Sequence, residues 1–187
     1  MRIISGSARG HRLATFRGKD IRPTPDRVRE AVFNMLTSRL GPLEGLQVLD
    51  LFAGSGGMGL EALSRGAGYA VFVDASREAA DLTQRNLKHC RLEKRARVVR
   101  SDAQAALVAL AGQTFDLVFM DPPYHSGLAT QLLPQLVAKG LLSPRAFVVV
   151  ETDKKETMTG LPAAMELELE RHFGRIRIEL IRMGATA

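Results

Sequence analysis

The sequence predicts an α/β protein with a Rossmann-like, doubly wound, mostly parallel seven-stranded sheet that ends in an antiparallel hairpin. From residue 46 onward, strand-like apolar segments alternate with helical ones, which is typical of repeated βαβ units. Near the end of the chain, residues 165–170 and 175–182 both alternate polar and apolar side chains, with Gly174 in the turn between them. Two neighbouring strands joined by so tight a turn must run antiparallel.

The elements of the α/β part follow in regular order. Predicted strands cover residues 47–52, 70–74, 96–101, 115–120 and 145–151, and the predicted helices between them cover residues 57–65, 77–91, 103–111 and 127–139. Open α/β sheets bind ligands beyond the carboxyl ends of their strands, so we expect the functional site at that edge.

Residues 1–40 are predicted to form an N-terminal extension of a domain that covers residues 46–187. Residues 2–4 and 11–16 are expected to be the two strands of a small β-ribbon. Such a ribbon is not stable alone, so it needs support from the domain. Residues 41–45, Gly-Pro-Leu-Glu-Gly, are the expected linker.

A helix is expected directly after Thr24. This residue is a favourable N-cap, and Pro25 suits the first helical position. Apolar residues then recur at helical spacing, so one face of the helix is expected to pack on the domain. The residues expected on its polar face are Arg27, Arg29 and Glu30.

Positive charge is concentrated in the extension. Residues 1–40 hold nine Lys/Arg against three Asp/Glu, which accounts for the whole formal net charge of +6. A basic segment joined to a neutral domain is typical of an arm that binds a polyanion. An ordinary solvated basic surface remains the alternative. The candidate polyanion contacts are Arg9, Arg12, Arg17, Arg22 and Arg27.

The composition excludes several classes of protein. A chain of 187 residues that is 45% hydrophobic can bury one core. It has one cysteine, Cys90, so an internal disulfide is impossible, which fits a reducing cytoplasm. No apolar run approaches the ~18 residues of a membrane span, and the four histidines lack metal-ligand spacing. We expect a cytoplasmic protein with neither a membrane span nor a metal site.

A glycine-rich loop follows the first predicted strand. Four glycines stand between residues 54 and 59, where they let a ligand approach main-chain N–H groups at the start of a helix. Gly54-x-Gly56-x-x-Gly59 matches the dinucleotide fingerprint, so both NAD and S-adenosylmethionine remain open on this pattern alone. The candidate cofactor contacts at this loop are Asp50, Phe52, Ala53, Gly54, Ser55 and Gly56.

Aspartates stand at the carboxyl ends of four successive strands: Asp50, Asp74, Asp102 and Asp121. Carboxylates suit a cationic sulfonium and ammonium better than a pyrophosphate, which they would repel. NAD-binding domains also end in a parallel strand rather than a hairpin. Two simpler interpretations stay open, because Asp74 and Asp102 each precede a helix that they could cap, although Ser76 is available as the cap after Asp74.

Asp121-Pro122-Pro123-Tyr124 follows the apolar strand at 115–120. Two successive prolines remove two N–H donors and leave carbonyl groups as acceptors. The Asp121 carboxylate and the Pro122 carbonyl are therefore candidates to accept the two hydrogens of an exocyclic base amine, while Tyr124 stacks on the base. A rigid turn with a core tyrosine is the alternative.

Several blocks stand in one order along the chain: Arg-Ile-Ile at 2–4, Arg-Pro-Thr-Pro-Asp-Arg-Val-Arg-Glu-Ala at 22–31, Leu-Asp-Leu-Phe-Ala-Gly-Ser-Gly at 49–56, Leu-Glu-Ala-Leu-Ser-Arg-Gly-Ala at 60–67 and Asp-Pro-Pro-Tyr at 121–124. Together they resemble the RsmD-type family of small bacterial class I methyltransferases, which modify N2 of a guanine in 16S ribosomal RNA. The resemblance covers nearly the whole chain.

The resemblance implies an S-adenosylmethionine-dependent enzyme. Asp50 and the glycine loop would hold the amino-acid part of the cofactor, Asp74 the ribose and Asp102 the adenine, while Asp121, Pro122 and Tyr124 would act on the target amine. The implied partner is 16S ribosomal RNA or a small-subunit assembly particle, bound by a monomer through the basic arm. An adenine-N6 methyltransferase and a non-catalytic RNA-binding protein remain alternatives.

Overall fold

The computed structural model describes residues 1–16, 24–156 and 160–184. Its helices are α1 (Asp26–Leu40), α2 (Gly57–Ser64), α3 (Arg77–His89), α4 (Ala103–Ala109) and α5 (Leu128–Ala138), with one turn of 3-10 helix at Glu93–Arg95. Its strands are β1 (Gln47–Leu51), β2 (Tyr69–Asp74), β3 (Ala96–Arg100), β4 (Phe115–Met120), β5 (Leu142–Asp153), β6 (Met165–Phe173) and β7 (Ile176–Met183).

All seven strands form one sheet, in the order β3-β2-β1-β4-β5-β7-β6. Strands β1 to β5 are parallel, whereas β7 pairs antiparallel with β5 and β6 antiparallel with β7. The predicted fold is confirmed. Strand β5 is longer than the predicted 145–151, because Leu142 already pairs with Phe115 and pairing with β7 continues until Asp153 lies opposite Ile176.

Two apolar cores cover the two faces of the sheet. Helices α1, α2 and α3 pack on one face, where Val48 and Phe72 point, and α4 and α5 pack on the other, where Leu49 and Leu51 point. Alternating strand residues thus serve opposite faces, as buried parallel strands require. Cys90 is buried in the first of these cores.

The N-terminal segment is fastened to this first core. Ile3, Ala8 and Leu13 are buried with the residues of α1 and α2. The Glu61 carboxylate accepts hydrogen bonds from the backbone N–H groups of residues 4 and 5, at 2.8 and 3.0 Å. Within residues 1–16, the predicted ribbon consists of a single antiparallel bridge between Arg2 and Arg12. The segment therefore packs on the α/β part along its length.

The start of α1 differs from the expectation. The helix begins at Asp26 with Pro25 at the N-cap, and no side chain caps it, so the prediction of Thr24 as N-cap is wrong. The Thr24 hydroxyl instead donates to Glu151 Oε2 at 3.0 Å. The Thr24 side chain thus bonds to Glu151 on β5, which is distant in sequence, instead of to the backbone of its own helix.

The polar face of α1 also differs. Arg27 and Glu30 are exposed as predicted, but Arg29 is completely buried. Its Nη2 lies 3.2 Å from Asp26 Oδ1 and donates to the Arg2 carbonyl. The N-terminal segment covers this side of the helix, so a face that looks solvated in the sequence becomes internal.

The expected linker is not a free tether. Leu43 is buried, and the Gly45 N–H donates to the Gly66 carbonyl at 3.2 Å. Separately, none of the described helices is long and apolar enough to cross a membrane.

Candidate active site

A cleft of ≈ 1690 Å³ opens beyond the carboxyl ends of β1, β2, β4 and β5. Ligand pockets for single small molecules usually enclose about 300–1,000 Å³, so this cleft has room for two reactants side by side. It lies where the sheet order reverses between β1 and β4, which is the expected position in a doubly wound fold.

The glycine loop is shaped by the two aspartates that flank it. Asp50 Oδ2 accepts the Gly59 N–H and Asp74 Oδ2 accepts the Gly54 N–H, both at 2.9 Å. Gly56 has φ +80°, which favours glycine, and a Cβ on Gly59 would lie 2.4 Å from the Phe72 ring. The loop therefore depends on glycine both for its turn and for its close packing on β2.

Asp50 is buried at the floor of the cleft. Burial raises its pKa to about 7, an effect that the Gly59 N–H opposes and the neighbouring Asp74 carboxylate reinforces. A buried carboxylate whose charge is this costly is a strong attractor for a cation that enters beside it.

The next two aspartates also contact the backbone. Asp74 Oδ1 accepts the Ser76 N–H at 2.9 Å, and Ser76 is the N-cap of α3, as the sequence indicated. Asp102 caps α4, because its Oδ1 accepts the Ala105 N–H at 2.9 Å. Both aspartates line the cleft as well, so their predicted roles at the ribose and at the adenine stay predictions.

The Asp121-to-Tyr124 segment lines the same cleft and follows β4, the neighbour of β1 in the sheet. The Asp121 carboxylate accepts no hydrogen bond from any described residue, and its pKa lies well above the usual range because of burial and the charges of Glu151 and Asp50. Tyr124 is 40% exposed on the cleft, and burial of the rest raises its pKa to about 12, so it stays a neutral phenol.

Four further charged side chains line the cleft that the sequence did not single out as site residues: Arg29, Glu78, Glu151 and Arg175. Glu151 stands near the end of β5, as the aspartates stand after β1 to β4, so its position after the apolar run 146–150 was an available signal. The sequence could not identify Arg29 as a site residue, because its burial depends on packing of the N-terminal segment. Its Nε and Nη1 atoms have no hydrogen-bond partner among the described residues.

The chemistry of the cleft fits one kind of cofactor. Six carboxylates line the cleft and favour a cationic ligand, and a pyrophosphate would be repelled. The cations that line the described part of the cleft are Arg29 and Arg175. A nucleoside that carries an ammonium, a sulfonium and one carboxylate matches this set.

Three of the candidate RNA contacts are described by the structure, and none of the three lines the cleft. Arg9 and Arg12 are exposed on the N-terminal segment, and Arg27 is exposed on α1. Arg17 and Arg22 lie outside the described residues. Within the residues that the structure describes, no cluster of three or more His, Cys, Asp or Glu side chains could hold a metal ion.

Comparisons with known proteins agree with this architecture. A family profile described as "Conserved hypothetical protein 95" matches residues 1–182. "Ribosomal RNA small subunit methyltransferase D" of Escherichia coli K12 is 36% identical over 99% of this chain and 91% of its own length. YlbH of Bacillus subtilis 168 is 43% identical over 83% of this chain and 84% of its own. The solved structure of yhhF from Escherichia coli has a TM-score of 0.87 and 35% identity, covering 100% and 99% of the two chains.

Proposed function

We propose that this chain, which belongs to the RsmD-type family described as conserved hypothetical protein 95, transfers a methyl group from S-adenosylmethionine to the N2 amine of a guanine in 16S ribosomal RNA. The observation that carries the proposal is the Asp121 carboxylate, which lines the same cleft as the glycine loop and has no hydrogen bond from a described residue. The name of the Escherichia coli relative supports ribosomal RNA as the substrate.

The glycine-loop side would hold the cofactor. The charge of Asp50 and the start of α2 suit the two charged groups of an amino acid, Asp74 would accept the ribose hydroxyls, and Asp102 would accept the adenine amine. When bound, the cofactor supplies a methyl group on a positively charged sulfur. The chain itself provides orientation and a fixed electrostatic environment.

The opposite side would hold the target base. An exocyclic amine is a poor nucleophile because its lone pair is delocalised into the ring. The Asp121 carboxylate and the Pro122 carbonyl would each accept one N–H, which turns the lone pair out of that conjugation and toward the methyl donor. Tyr124 would stack on the base and fix its plane. Positioning of this kind supplies most of the acceleration, and no covalent nucleophile is needed.

The nature of the nucleotide is the point to test first. Ribosomal RNA from cells with and without the gene would be digested to nucleosides and compared by mass spectrometry, then mapped. We expect one N2-methylguanosine in 16S RNA to depend on the gene. Loss of an N6-methyladenosine instead would support an adenine-N6 enzyme, and an unchanged set of nucleosides would support a non-catalytic RNA-binding protein.

Assays with the purified protein distinguish naked RNA from a small-subunit particle as the substrate. Naked 16S fragments and small-subunit particles would be compared as methyl acceptors with radiolabelled S-adenosylmethionine. We expect RNA or an assembly particle to accept label, with the protein acting as a monomer in sedimentation measurements.

A further inference from the structure

Glu151 lies beside Asp121 at the same edge of the sheet. Met120 pairs with Val150 in the parallel β4–β5 register, so the next residues on the two strands are neighbours. On its other side β5 is held by β7, where Ile178 pairs with Glu151. The backbone that carries Glu151 is therefore fixed from both sides, as a recognition group requires.

The Glu151 side chain is directed to the target side of the cleft. It is 8% exposed, lines the cleft with Asp121 and Tyr124, and accepts the Thr24 hydroxyl at 3.0 Å. Burial raises the pKa of Glu151 to about 6, an effect that the hydrogen bond from Thr24 opposes. A second buried acceptor thus accompanies Asp121.

The Asp121 carboxylate, the Pro122 carbonyl and the Glu151 carboxylate are three acceptors, which is more than an exocyclic amine can use. The amine has two hydrogens, which the Asp121 carboxylate and the Pro122 carbonyl would occupy. In guanine the ring nitrogen next to this amine, N1, also carries a hydrogen. In adenine and cytosine the equivalent ring nitrogen carries a lone pair, which would face a carboxylate with repulsion and leave both groups unpaired.

We propose that Glu151 selects guanine by accepting a hydrogen bond from its N1–H while Asp121 and Pro122 hold the N2 amine. This inference rests on the proposed function and adds a specificity-determining residue to it. A carboxylate at this position explains how an Asp-Pro-Pro-Tyr segment, which suits several base amines, becomes specific for one. The selection uses only the Watson–Crick edge, so it requires a base that is unpaired when bound.

The test changes the hydrogen-bonding group at N1 of the target base and, separately, the side chain at residue 151. Once the target nucleotide is mapped, two RNAs or reconstituted particles carry either guanine or 2-aminopurine there, since 2-aminopurine keeps the exocyclic amine but has no N1 hydrogen. Single-turnover methyl transfer is measured for the wild type and for Glu151→Gln, whose amide can donate to the bare N1. We expect the wild type to prefer guanine by about tenfold or more, and the variant to lose about tenfold of that preference.

Matched variants separate recognition from structure. Glu166→Gln makes the same chemical change at an exposed position on β6 and should keep the wild-type preference. Thr24→Val removes the hydrogen bond to Glu151 but keeps the carboxylate, so it should also prefer guanine. Affinity for S-adenosylhomocysteine, measured by calorimetry, reports whether each variant is folded.

The outcomes are distinct. If Glu151→Gln slows both RNAs by the same factor, Glu151 is a structural or proton-accepting group and the inference is overturned. If Thr24→Val reproduces the loss of preference, the role belongs to the Thr24 contact and the inference is also overturned. If the wild type methylates guanine in neither RNA nor particle, the proposed function fails and the inference with it.

Discussion

The carboxylates on the two sides of the cleft differ in their hydrogen-bond partners. On the donor side, defined by Asp50, Asp74 and Asp102, every carboxylate accepts a hydrogen bond from a backbone N–H. On the acceptor side, defined by Asp121 and Glu151, the described residues give Asp121 no hydrogen bond and give Glu151 one, from the Thr24 hydroxyl. The donor side is thus organised before any ligand arrives, whereas the acceptor side keeps acceptor capacity for a substrate.

This difference predicts that substitutions on the two sides change different properties of the enzyme. Removing an acceptor-side carboxylate should affect the rate of methyl transfer and leave the donor site folded. Removing a donor-side group should affect cofactor affinity. The four predictions below test that division, beginning with the largest effect.

The largest effect is expected for Asp121→Ala. Under the proposed function its carboxylate orients the target amine mainly in the transition state, so the single-turnover rate should fall by about 10²–10³-fold. Affinity for S-adenosylhomocysteine in calorimetry should stay within about twofold, because no backbone group of the donor side depends on Asp121. Near-normal turnover would show that the residue has another role, and Asp116→Ala, within β4, is the control.

The next effect concerns Arg29, whose Nε and Nη1 have no partner among the described residues. A Cβ on Gly57, the first residue of α2, would lie 3.0 Å from Met1 Sδ and 3.6 Å from Nη1, so the Met1 side chain, the guanidinium and a helix N-terminus border one space. We expect this space to take the carboxylate of the cofactor. S-Adenosylhomocysteine should bind the wild type about 10–100-fold more tightly than its decarboxylated analogue.

Arg29→Met should bind the two ligands about equally. The matched control is Arg27→Met, which changes an exposed arginine on the same helix and should keep the preference. Because Arg29 also pairs with Asp26, a thermal melt should confirm that the variant is folded. A preference for the carboxylate that survives in folded Arg29→Met would contradict the assignment.

A smaller effect is expected from pH. The pKa of Asp50 is raised to about 7 in the free protein, so its charge is largely absent at pH 6 and largely present at pH 8. A cationic ligand favours the charged form and lowers that pKa. S-Adenosylmethionine affinity should therefore rise by up to about tenfold from pH 6 to 8, with proton release on binding. Calorimetry in buffers of different ionisation enthalpy measures that release, and Asp50→Asn should abolish it.

The smallest effect per residue is expected on the basic arm, residues 1–40, which we propose binds the RNA. Each phosphate contact contributes about −0.7 to the log–log salt slope for single-stranded RNA. Neutralising Arg9, Arg12 and Arg17 together should weaken RNA binding and reduce the slope by about 0.7 for each real contact, with donor affinity unchanged. An unchanged slope would mean that these side chains only form a solvated surface.

The sequence predicted the glycine loop and its turn well because their signals are local. Gly54, Gly56 and Asp50 fall within one strand and turn, and the turn geometry requires glycine at positions that can be counted along the chain. The hairpin of β6 and β7 was predicted for the same reason, since period-two alternation is visible in consecutive residues. The roles of Asp74 and Asp102 toward a ligand stay predictions.

The errors arise where distant segments meet. Thr24 was expected to cap its own helix, but its hydroxyl reaches Glu151 on β5. Arg29 was expected in solvent, but the N-terminal segment buries it. Both outcomes depend on tertiary packing. Tertiary contacts override local preference and leave no periodic pattern in the sequence.

Tyr124 makes the arrival of the target base observable. The chain has two tyrosines, Tyr69 and Tyr124. Tyr69 begins β2, at the opposite edge of the sheet from the cleft, whereas Tyr124 lines the cleft. Protein grown with 3-fluorotyrosine would therefore give two fluorine resonances, one that senses ring currents from a stacked base and one that serves as an internal reference.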